Sequence, residues 1–199
     1  MNVVLGLCCV EYVQAASFDD PTWPCQQRKV ETLSLAILWT APLPDGPAGL
    51  PEVVLPPQAA ELAALLAQRR ITLEEAGAAV QAFASGDENP DPVQMAAIFA
   101  RVFDALGGIR LRIIRGIEDY SLKQIALSDK IDRVRSEMRA LENSETPDFD
   151  RIDALEEQLD WDERIFRDRS KSLTYVCETP VLIEKRLYAL AQILLMHAD

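Results

Sequence analysis

The stretch Ile131–Leu159, IDRVRSEMRALENSETPDFDRIDALEEQL, decides the fold. Ile131, Val134, Met138 and Leu141 recur at alternating steps of three and four, and so do Ile152, Leu155 and Leu159. That spacing lays apolar side chains along one face of a helix. Between the two runs, Asn143-Ser144-Glu145-Thr146-Pro147-Asp148 combines residues that end one helix and start another. Two amphipathic helices joined by so short a connection fold back on each other.

Working outward, both runs continue. The first extends back through Leu127, Tyr120, Ile117, Ile113, Leu106, Phe103 and Phe99. The second extends forward through Phe166, Leu173, Val176, Ile183, Leu187, Leu190 and Leu194. The repeat is that of a coiled-coil seam. One antiparallel register pairs Leu141 with Ile152, Met138 with Leu155, Val134 with Leu159, Leu127 with Phe166, Tyr120 with Leu173, Ile117 with Val176 and Leu106 with Leu187. The same register sets Gln124 opposite Arg169 and Ile131 opposite Asp162, polar positions of the kind that fix alignment. Arg135 falls within reach of Glu156 or Glu163 on the flank.

The width of the apolar band changes along the hairpin. It is wide over Ile109, Leu111, Ile113, Ile114, Ile117, Leu122 and Ile125, and again from Val181 to Leu195. Over residues 128–170 it narrows to the seam. A wide band needs several neighbours and a narrow one needs a single partner. The wide part is therefore expected inside a bundle, and 128–170 as a projecting tip.

Two shorter helices precede the hairpin. One starts at Pro57 with Leu62, Leu65 and Leu66 on a face. The other starts at the capping box Thr72-Leu73-Glu74-Glu75 and ends near Ser85-Gly86. Pro92 suits the first turn of the long helix. Residues 16–56 are rich in proline and form an extended segment expected to cross the bundle. Within it, Val30–Trp39 fits a helical face and a strand face equally well. Gly107-Gly108 and Pro180 are expected as kinks or points of close approach. The fold class is all-α: two short helices on a long antiparallel helical hairpin with a coiled-coil-like tip.

Residues 1–15 resemble a signal peptide, with an apolar run from Val3 to Val10 and small residues before Ala16. No lysine or arginine precedes the run. The expectation is a periplasmic or secreted protein, with residues 57–199 as the helical bundle. Removal of residues 1–15 leaves two cysteines, Cys25 and Cys177, which in an oxidising compartment are expected to form a disulfide.

A net charge of -12 argues against a nucleic-acid partner, which calls for a basic stripe. His197 is the sole histidine, so paired-histidine metal sites are excluded. Neither a phosphate loop nor a haem motif is present. Glu156, Glu157, Asp160, Asp162 and Glu163 crowd one helix, where carboxylates diverge rather than converge on a cation. The expectation is no catalytic, metal or cofactor site and no enzymatic activity. Trp161 and Phe149 on the tip, and Trp23 and Trp39 in the proline-rich segment, are the aromatic residues expected at an interaction surface. The sequence thus points to a scaffold, adaptor or chaperone-like assembly factor working through a protein partner or through self-association at the tip. The alternative is a bundle that binds a small apolar ligand among alanines such as Ala59, Ala60, Ala63, Ala64 and Ala67.

Overall fold

The computed structural model of the 199-residue chain describes residues 20–42, 46, 50, 53–86 and 91–198. The signal-like residues 1–15 lie outside them. The described residues form five helices: α1 (Leu35–Leu38), α2 (Pro57–Leu66), α3 (Leu73–Ala84), α4 (Pro92–Glu142) and α5 (Phe149–Leu195). The protein is all-helical, and α4 and α5 pack along each other as an antiparallel hairpin.

Helix ends follow local chemistry. At α3, the Thr72 hydroxyl accepts from the Glu75 amide at 3.1 Å, and the Glu75 carboxylate accepts from the Thr72 amide at 2.8 Å. Asp91 caps α4 by accepting from the Gln94 amide at 2.6 Å, with Pro92 in the first turn. Asp148 caps α5 by accepting from the Arg151 amide at 3.0 Å. Each bond satisfies an amide that has no partner within its helix. Gly86 follows α3 without the positive φ of a left-handed glycine cap; Gly46 alone among the described residues has one.

The main core lies at the open end of the hairpin, away from the α4–α5 connection. Met95, Ile98, Phe99, Val102 and Leu106 of α4 meet Ile183, Leu187, Leu190 and Leu194 of α5, with Ala59, Leu62 and Leu66 of α2 and Ala76 and Val80 of α3 closing over them. The short helices therefore cover an earlier part of α4 than the wide band suggested. Leu122 and Ile125, read as needing neighbours, are 52% and 39% exposed. Arg186 joins α5 to the end of α2, donating to the carbonyls of Leu66 at 3.2 Å, Gln68 at 2.8 Å and Ile71 at 2.8 Å. These carbonyls include a helix end short of donors, which a guanidinium suits. Burial, with Arg69 adding repulsion, lowers the Arg186 pKa from its usual value.

The seam holds over most of its length but slips at one place. Val176 is 43% exposed, while Cys177 and Pro180 are buried in its stead. A strict 3.5-residue count drifts against the 3.6 residues of a helical turn, so the inward phase moves on by one position. Both long helices run unbroken through the points expected to interrupt them, Gly107-Gly108 and Pro180. A Cβ added at Gly107 or Gly116 would meet nothing within 4 Å, and one at Gly108 only the Arg112 guanidinium at 3.7 Å. The glycines are thus not sites of close approach.

Residues 20–42 form a strap in the groove between α4 and α5. The Ser121 hydroxyl donates to the Pro21 carbonyl at 2.8 Å. Lys29 pairs with Glu118. Arg110 donates to the carbonyls of Val30 and of Glu31, the latter at 3.1 Å. Trp39 stacks on Phe99 with ring centroids 5.6 Å apart. As the strap advances, its contacts step back along α4 from Ser121 to Phe99, so it lies lengthwise rather than straight across. Within Val30–Trp39 no strand forms: Ser34 is extended and the single turn of α1 follows it.

Candidate interaction surface

The residues singled out from the sequence separate into buried and exposed sets. Cys25 and Cys177 are joined, with Cα atoms 5.5 Å apart and a sequence separation of 152. They sit in a small second core with Trp23, Ile114, Ile117 and Leu173, against which Tyr120 packs. Trp23 is buried and its indole donates to the Gln27 carbonyl at 2.7 Å. Trp39 is buried in the main core. The two tryptophans therefore present no surface to a partner. They hold the strap down, because a large aromatic ring in a segment without its own core is stabilised by lying against the nearest apolar groove.

Trp161 and Phe149 remain on the surface, 62% and 70% exposed. They do not form one patch. Twelve residues apart on α5, they project about a third of a turn away from each other. Between tip helices the seam carries Ile131, Val134 and Leu155, all buried. Asp162 is buried too and pairs with Lys130 at 2.8 Å. Arg135 pairs with Glu163 at 2.6 Å, the flank contact expected from the register. Gln124 does not meet Arg169. Its amide donates to the Phe166 carbonyl and the Ser170 hydroxyl, each at 3.1 Å. The acidic run is thereby dispersed: Asp162 points into the hairpin, Glu163 goes to Arg135, and the rest face solvent. Among the described residues no three potential ligands converge on a metal-sized site.

Two surface features went unread in the sequence. Between α4 and α5, Gly116, Ile117, Tyr120, Ser172, Leu173 and Val176 line an apolar cleft of about 140 Å³. The missing side chain at Gly116 opens it. On the outer face of α5, Tyr175 and Leu182 are 75% and 54% exposed. They stand fourteen and twenty-one residues after Trp161, whole multiples of seven, so the three share one side of the helix. The seven-residue spacing is in the sequence, but it signals a surface only once the seam is known to face elsewhere. Among alanines, Ala59 and Ala76 are packed shut in the core. Ala60, Ala64 and Ala67, with Ala63, line a surface groove of about 470 Å³ with Val54, Leu55, Arg101 and Ala105.

Among the described residues no helix is long and apolar enough to cross a membrane. No family model, no curated protein and no solved structure matches this chain.

Proposed function

We propose that this chain is a non-enzymatic helical protein that acts through protein contacts, as a scaffold, adaptor or chaperone-like assembly factor. The observation that carries the reading is the exposure of large apolar side chains along the hairpin: Trp161, Tyr175, Leu182 and the cleft at Gly116. Exposed aromatic side chains on a rigid helix lose little entropy on docking and anchor interfaces. The disulfide and the signal-like N-terminus support a place of action in the periplasm or outside the cell, where such bonds persist.

Native mass spectrometry of the protein purified from its own host tests the reading. A polypeptide retained at fixed stoichiometry, and lost when Trp161 or Tyr175 is replaced by alanine, supports it. A retained small molecule instead supports the rival reading, an apolar-ligand carrier, which the alanine-lined groove between α2 and α4 favours.

A further inference from the structure

Two columns of side chains run along the outer face of α5. One is Trp161, Asp168, Tyr175 and Leu182, and the other is Glu157, Arg164, Lys171, Glu178 and Lys185. Every step in both is seven residues. A seven-residue repeat on an open helix face is the pattern that a second helix reads, because it keeps one stripe toward a partner through a left-handed supercoil. The seam to α4 accounts for the opposite face of α5, and all nine residues of the two columns are exposed.

We propose that this face pairs antiparallel with the same face of a second copy of the chain, about a two-fold axis at Lys171. The charges choose both the partner and its direction. Glu157, Arg164, Glu178 and Lys185 form no ion pair among the described residues. Their order is acid, base, acid, base. Laid parallel and in register, two copies place like on like. Laid antiparallel, Glu157 meets Lys185 and Arg164 meets Glu178, four ion pairs across the dimer by symmetry. Only Lys171 meets its own copy, and Asp168 stands 3.8 Å from it in the same helix to offset that repulsion. The same alignment brings Trp161 within one residue's rise of the level of Leu182, and Tyr175 likewise of Asp168, whose carboxylate accepts from the phenol. A two-fold interface repeats each contact, which is the self-complementarity that a symmetric dimer needs. Like charges opposed in the parallel arrangement exclude it. From Glu157 to Lys185 the contact runs about 42 Å at 1.5 Å per residue.

The proposal rests on the reading that the hairpin works through protein contacts, and it is tested on the isolated protein. The full disulfide-bonded chain is followed by sedimentation velocity across the micromolar range. A dimer is expected. Trp161→Ala with Tyr175→Ala should weaken it about tenfold or more, with helicity unchanged by circular dichroism. Glu157→Lys should weaken it, and Glu157→Lys combined with Lys185→Glu should restore it. Spin labels at Ser144→Cys should lie about 80 Å apart, since antiparallel pairing sends the tips to opposite ends. A chain that stays monomeric, a dimer indifferent to the aromatic and charge substitutions, or labelled tips close together each overturns the pairing. A monomer that still retains a foreign polypeptide in native mass spectrometry overturns self-pairing alone and leaves the wider function standing.

Discussion

The Arg110 guanidinium on α4 meets the Glu184 carboxylate on α5 at 2.6 Å, and its remaining donors reach the carbonyls of Val30 and Glu31 on the strap. One buried cation thus ties three segments at a single level. Its side chain is 3% exposed and that of Glu184 31%. Removing Arg110 leaves two carbonyls and a partly buried carboxylate without their donor. Arg110→Met is expected to lower stability by about 3 kcal/mol, toward the low end for a broken buried pair because Glu184 still reaches water. Glu184→Gln should cost less. Urea unfolding of the three proteins checks the order.

The disulfide acts at the other end of the strap. Closing a loop of 152 residues restricts the unfolded chain, and the chain-entropy relation puts the gain at about 5 kcal/mol as an upper figure. Cys25→Ser with Cys177→Ser should therefore lower the urea midpoint. Hydrogen exchange in residues 20–27 should accelerate far more than in residues 35–39, because Trp39 stays anchored in the main core while Trp23 loses its covalent neighbour. Equal acceleration across the strap would count against separate anchoring.

Lys29 binds its proton more tightly than an ordinary lysine, through Glu118 first and Glu31 and Asp20 after it. A raised pKa gives stabilisation that is complete below the ordinary value of 10.5 and is lost as pH climbs through the higher folded one. Strap docking, read by hydrogen exchange or by Trp23 fluorescence, should be flat from neutral pH to about 10 and weaken only beyond it. Lys29→Met should remove that alkaline loss.

Gly107, Gly108 and Gly116 sit inside α4 with room for a methyl group. Alanine there should raise the melting temperature, each substitution adding up to about 1 kcal/mol from helix propensity. Gly116→Ala should also fill part of the cleft beside Tyr120 and Val176. A loss of stability at any of the three would mean that the helix bends there in solution.

The hairpin was legible because its signal is redundant: seven apolar pairs satisfy one register, and Asn143 to Pro147 can only be a turn. The capping box at Thr72 was legible because its two bonds are local. What the sequence hid depends on contacts between distant segments. Trp23 and Trp39 read as surface residues because nothing local gives a proline-rich strap a core; the groove of the hairpin supplies one. Arg110 was not singled out, although it shares the inward phase of Leu106, Ile114 and Ile117, and that coincidence was the available clue. Arg186 offered no clue, because the carbonyls it caps are more than a hundred residues away in sequence.

Gln124 and Asp162 interrupt an otherwise apolar seam, and each is buried with a partner on the facing helix. Their burial costs more than that of leucine, since Asp162 loses water on most sides for one ion pair with a half-exposed Lys130. The benefit is alignment. Slide one tip helix by a turn, and the carboxylate and the amide meet apolar side chains instead of Lys130 and Ser170. Gln124→Leu with Asp162→Leu is therefore expected to raise the unfolding midpoint, by about 1–3 kcal/mol in stability. It should also permit misaligned or associated hairpins, because only the polar layers penalise them. Unfolding curves read the first effect. Distances between spin labels at Ala140→Cys and Ala154→Cys read the second, a single narrow distribution in the parent hairpin and a broad one in the leucine variant. A stabilised variant with an equally narrow distribution would place the register in the apolar pairs and the Asp148 cap alone.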